Sequence, residues 1–223
     1  MNKSIKNPRL SIFDTFKTKN EELTGEASRQ RAIIAHLATA TGSAARTRTG
    51  ISQRIAEENG IVWKNIYSGI FRDLDEILIP LGLVRESGRL PLKRGPKALQ
   101  EKGVPFYELS LEGMLIALSL KEIIGREEIL IQFFLKAEIE EKEFQEILQK
   151  FSQIFPRFTY SLFEKYSKAF CEGKLHRLLP FSINKLKSVS DESILIHKEL
   201  FVALSELSKI EREKAIKFLE SIS

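Results

Sequence analysis

Cysteine occurs once in these 223 residues, as Cys171, so the chain cannot close a disulfide on itself and carries no mark of an oxidising compartment. With one Cys and three scattered histidines (His36, His176, His197), zinc-type ligand spacing does not occur. Also missing are a Gly-x-x-x-x-Gly-Lys-Ser/Thr loop, a Gly-x-Gly-x-x-Gly turn after a strand and a His-Glu-x-x-His pair. Cys171, with His176 five residues on, is the one nucleophile–base pairing available, and no acid or oxyanion partner declares itself. The expectation is a protein that is not an enzyme and holds no cofactor or metal. Long apolar runs are absent too: nothing approaches the roughly 20 residues of a membrane span. Lys3, Lys6, Arg9, Asp14, Lys17 and Lys19 interrupt the N-terminus where a signal peptide would need an apolar core. A cytoplasmic protein with no membrane contact is expected.

What is present is unevenly spread. The net charge is +5, yet residues 1–110 hold 18 Lys and Arg against 12 Asp and Glu, while residues 111–223 hold 17 against 18. A basic half beside a neutral one suits a polyanionic partner. Eleven of the 12 glycines lie at or before Gly125, and 11 of the 15 phenylalanines at or after Phe133. That contrast predicts a turn-rich region of short elements followed by an all-helical one, divided near Gly125. Three parts are therefore expected: a polar N-terminal arm over 1–27, a domain over 28–124 and a helical domain over 125–223. The arm has apolar anchors at Leu10, Ile12, Phe13 and Phe16, compatible with docking or with disorder.

Ser28 is placed to cap a first helix with Ile33, Ile34 and Leu37 on one face, closed by Gly42. Thr47 or Thr49 caps a second, with Ile51 and Ile55 four apart, ended by Asn59-Gly60. The third begins at Ile61 or Val62 and lines up Trp63, Ile66, Ile70, Leu74 and Ile77 until Pro80 and Gly82 stop it. Residues 83–87 and 105–109 read as antiparallel strands around a long basic loop, and Ser110 caps an apolar helix running through Leu120. The order is helix, helix, helix, strand, loop, strand, helix.

Three stretches carry a resemblance. They are Ile55-Ala56-Glu57-Glu58-Asn59-Gly60-Ile61, then Ile66, Ile70 and Leu74 running into Leu81-Gly82-Leu83-Val84, and Tyr107-Glu108-Leu109-Ser110-Leu111-Glu112-Gly113. In that order and spacing the chain resembles the winged helix-turn-helix family of DNA-binding transcription regulators over about residues 28–120. The resemblance implies a mainly α fold with a small β-hairpin wing, an α+β domain that binds double-stranded DNA through its third helix. Two departures stand out: Ile77-Leu78-Ile79-Pro80 makes the exit from the third helix about one residue longer, and Gly88 to Gly103 makes a long wing loop.

A step of 100° per residue from the core stripe puts Lys64, Asn65, Ser68 and Arg72 on the opposite face of the third helix. Asn pairs bidentately with adenine and Arg with guanine, while Ser and Lys reach phosphates or base edges. Asp73, Asp75 and Glu76 repel phosphate and must lie farther from the groove. Residues 85–102 hold six cations against Glu86 and Glu101, so Arg89, Lys93, Arg94 and Lys97 are candidates for phosphate or minor-groove contact. Arg46 and Arg48 add phosphate contacts beside the second helix's N-terminal amides. Trp63 and Phe133, Phe144, Phe151 and Phe163 read as packing. Successive apolar stripes after Gly125 give a bundle that closes on itself or across a homodimer or partner interface. The competing function is a winged-helix adaptor that contacts proteins instead of DNA.

Overall fold

The computed structural model describes residues 8–17, 21–60, 62–92, 97–137 and 141–222. They form eleven helices and one two-stranded antiparallel sheet, and fall into two compact units that divide between Ile183 and Asn184. The break expected near Gly125 lies inside the first unit. The reason is α5 (Leu111–Leu118), whose Leu115, Ile116, Ala117 and Leu118 are all buried. So apolar a helix needs cover on several sides, and it packs against both α1 before it and α6 and α8 after it.

The first helix, α1 (Gly25–Thr39), starts three residues before the expected Ser28, because the Thr24 hydroxyl already accepts the Ala27 amide at 3.2 Å. It ends at Thr39, ahead of Gly42. Its buried Gln30 accepts the Ser11 amide at 2.8 Å, and Arg31 donates to the Ile12 carbonyl at 3.2 Å. Leu10 and Ile12 are buried beside them. Residues 10–12 thus belong to the first unit's core, while Phe16 stays exposed.

Thr47 caps α2 (Arg48–Glu58), accepting the Gly50 amide at 3.1 Å. A left-handed Gly60 turns the chain into α3 (Trp63–Arg72). The α-helix then widens into a π-helical turn, Asp73–Leu78, in which the Leu74 carbonyl accepts the Ile79 amide five residues on, at 2.9 Å. Such a turn holds about one residue more than an α-helical turn. It puts Leu78, rather than the expected Ile77, fully in the core below Ile70 and Leu74. The Trp63 side chain lies outside the described residues.

The hairpin pairs β1 (Val84–Leu90) with β2 (Val104–Leu109), from Val84 opposite Leu109 to Leu90 opposite Val104, with a bulge between Glu86 and Gly88. Both strands are longer than expected, and a short helix, α4 (Lys97–Lys102), occupies part of the connection. Ser110 caps α5 as expected, accepting the Gly113 amide at 3.0 Å. Gly113 has no room for a side chain, since a Cβ there would sit 2.0 Å from the Leu83 carbonyl oxygen.

The rest of the first unit is α6 (Arg126–Lys136), α7 (Lys142–Ile154) and α8 (Pro156–Cys171), packed around Phe181. Phe133, Phe144, Phe163 and Tyr166 surround that ring at centroid distances of 5.3 to 5.9 Å. Phe133 and Phe163 are buried as expected, while Phe144 and Phe151 are half-buried and Leu135 and Ile147 on the same helices are exposed.

The second unit follows α9 (Ile183–Ser188) with α10 (Glu192–Glu206) and α11 (Lys209–Ile222). Asp191 caps α10, accepting the Ser193 amide at 3.1 Å. Ser208 and Glu211 cap α11 reciprocally: the Ser208 amide donates to the Glu211 carboxylate at 2.9 Å, and the Glu211 amide to the Ser208 hydroxyl at 3.4 Å. Among the described residues no helix is long and apolar enough to cross a membrane.

Candidate nucleic-acid interface

α3 is an α-helix throughout, with Ile70 fully buried and Ile66 half-buried, so the face opposite is set by helical geometry. Lys64, Asn65, Ser68 and Arg72 are all exposed there. Among the described residues no side chain bonds to Lys64, Asn65 or Ser68. Arg72 is 54% exposed, its Nε 3.9 Å from Asp73.

Of the acidic residues that follow, Asp73 is withdrawn, while Asp75 and Glu76 remain exposed. Asp73 is completely buried and receives the Arg29 guanidinium at 2.8 and 3.4 Å. Burial raises its carboxyl above the ordinary aspartate value, and Arg29 opposes that rise. Gly69 makes the pair possible, because a Cβ at that position would lie 2.9 Å from Arg29 Nε. Asp75 is ion-paired with Arg48. Glu76 is exposed, on the π-turn.

Arg46 and Arg48 take different roles from the phosphate contacts expected of them. The Arg48 guanidinium lies 4.3 Å from the Phe71 ring centre and 5.1 Å from that of Tyr107 while pairing with Asp75. It therefore links the start of α2 to α3 and to β2. Arg46 lies over Phe106, 5.4 Å from the ring centre and 4.0 Å from Glu108, and its carbonyl accepts the Tyr107 amide at 3.0 Å. These charges are engaged inside the chain, at partners some 23 to 62 residues away that no local pattern displays.

At the base of the hairpin, Glu108 gathers Arg85 at 2.7 Å and the Ser87 hydroxyl at 2.8 Å. Burial alone would raise its carboxyl, but the Ser87 and Arg85 hydrogen bonds hold it below the ordinary value. Arg89, a predicted contact, is paired with Glu86 at 2.6 and 3.0 Å. Lys97 is exposed, and so is Lys102, which the expected contact set omits although it closes the same short helix. Lys93 and Arg94 lie outside the described residues. Among the described residues of α3 and the hairpin, the exposed cations with no hydrogen-bonded carboxylate are thus Lys64 and Arg72 on α3 and Lys97 and Lys102 on α4.

No group of His, Cys, Asp and Glu among the described residues is placed to hold a metal ion. Cys171 is buried, and burial pushes its thiol up to about 12, so it is protonated at neutral pH and a poor nucleophile. The molecule is a mainly helical protein with one small antiparallel hairpin set after its third helix. Comparison of the chain with family models, with curated proteins and with solved structures returns no match.

Proposed function

We propose that residues 25–120 form a winged helix-turn-helix unit that binds duplex DNA, and that the protein acts as a transcription regulator. The observation that carries this reading is the exposed Lys64, Asn65, Ser68 and Arg72 face of α3, beside acids that Arg29 and Arg48 neutralise. The N-terminal half of α3 enters the major groove. There Asn65 and Arg72 read base edges, and Lys64 and Ser68 add phosphate or base contacts. The β1–β2 hairpin is the wing: Lys97 and Lys102, with Arg89, Lys93 and Arg94, follow the phosphates or the minor groove. Arg46 and Arg48 hold α2, α3 and the hairpin together rather than touching DNA.

Titration of random-sequence duplex with the full chain at several salt concentrations tests the reading. Five phosphate contacts from the wing cations alone give a slope of log K against log salt of about −4.5, from counterion release. Absence of binding at low salt, or binding indifferent to salt, would sink it. Selection from a random pool then identifies the preferred site.

A further inference from the structure

The second unit leaves a row of large apolar side chains uncovered. α10 and α11 contain 15 and 14 residues and neither buries a single side chain. Leu195, Ile196 and Val202 on α10, and Ile210, Phe218 and Ile222 on α11, are 48 to 67% exposed. The two helices, joined only by Leu207 and Ser208, make little contact with one another. Helices of this length are marginal in water without tertiary cover, and α10 is apolar on more than one face, which marks a helix that is buried in use. Its caps are nonetheless complete: Asp191 on α10 and the Ser208–Glu211 pair on α11 specify where each helix starts.

Charge identifies what covers them. α10 carries three carboxylates, Glu192, Glu199 and Glu206, against Lys198. α11 reverses the balance, with four cations against three carboxylates. Each helix is the electrostatic complement of the other, yet within one chain they do not pack together. A two-fold arrangement resolves this, because an isologous interface sets α10 of one copy against α11 of the next and repeats the contact. We propose that residues 184–222 are a self-association element in which α10 and α11 of one chain pair reciprocally with α11 and α10 of a second copy. The inference is independent of the DNA-binding reading. In combination with it, pairing two reading heads raises affinity through effective concentration.

The test uses the full chain without DNA, in sedimentation equilibrium. The native protein should show twice its 25.5 kDa mass at micromolar concentration. One variant, Glu199→Lys with Glu206→Lys, makes α10 positive against a positive α11. Another, Lys214→Glu with Lys217→Glu, makes α11 negative against a negative α10. Each alone should fall to the single-chain mass, a twofold drop, and an equimolar mixture of the two should recover the doubled mass. Recovery excludes misfolding as the cause of either loss. A native chain that stays monomeric to about 100 μM, whether through internal docking or because another protein covers these helices, overturns the proposal, as does a mixture that fails to recover. A variant that still dimerises alone overturns the charge-matched pairing.

Discussion

Arg29 reaches 44 residues along the chain to Asp73, its Nε 2.8 Å from a carboxylate with no exposed surface. The pair joins α1 to the point where α3 widens, so it fixes how far and at what angle α3 stands from the rest of the first unit. Arg29→Met should therefore cost on the order of 3 kcal/mol at neutral pH, because an ionised carboxylate is left buried without its partner. The sign with pH follows from the raised Asp73 pKa. The folded state holds this proton more tightly than the unfolded state, so Asp73's contribution favours folding at low pH and is lost as pH rises from the ordinary aspartate value through the raised one. Removing Arg29 moves the folded value further up. Urea unfolding at pH 7 and in the acid range should show the variant's deficit shrinking in acid, and Arg29→Met with Asp73→Asn should be more stable at pH 7 than Arg29→Met alone.

Asn65→Ala and Arg72→Ala should weaken discrimination between DNA sequences more than they change the salt slope. A lost base contact is worth about 1 to 3 kcal/mol and is specific to one position of the site. Asn65 is exposed with no side-chain partner among the described residues, so Asn65→Ala should unfold at the native midpoint, whereas Arg72→Ala loses a charge 3.9 Å from the buried Asp73 and should be slightly less stable. Competition binding against single-base variants of the selected site measures the effect. Unchanged preference in both variants would remove α3 from the groove.

Lys97→Ala with Lys102→Ala should lower affinity for every duplex alike and flatten the salt slope by roughly two units, one for each phosphate contact. Fluorescence anisotropy across a salt series reads this directly. An unchanged slope would place α4 away from the DNA.

Gly113→Ala should destabilise the first unit by about 3 kcal/mol or more, since its Cβ meets backbone at 2.0 Å and neither Leu83 nor α5 can withdraw without opening the core. Gly25→Ala is the control. Its nearest contact would be 3.9 Å away at the start of α1, so it should be neutral or stabilise by up to about 1 kcal/mol. Thermal unfolding of the pair distinguishes a packing cost from a general intolerance of side chains at glycine.

The elements legible in the sequence are those specified within a few residues. Thr47 and Ser110 cap their helices through hydroxyls three residues from the amides they accept, and Asn59-Gly60 ends α2 through its own backbone. The exposed face of α3 is legible for the same reason. Thr24 and Ser28 are equivalent as patterns, and only the docking of Leu10 and Ile12 upstream favours the earlier cap. The partners of Arg46, and Tyr107 beside Arg48, depend on the hairpin folding back toward the start of α2, while Phe71 and Asp75 reach Arg48 only when α3 docks there. The composition shift at Gly125 points to a domain break there, but α5 shares its apolar surface with helices on both sides of that point. Gly69, a glycine inside a helix, was the one local sign of the Arg29–Asp73 pair.

The widened turn at Asp73–Leu78 also changes how this chain can be compared with others. Ile70, Leu74 and Leu78 enter the core at steps of four, a spacing that an α-helix of constant pitch would rotate progressively out of register. A chain lacking one residue here could close the same core with an unbroken α-helix and deliver the hairpin to the same place. The two would share a scaffold while every position from Leu78 onward stood one place out of step. A gap confined to this turn, rather than spread into the loops on either side, is the alignment that would bring such a pair back into correspondence.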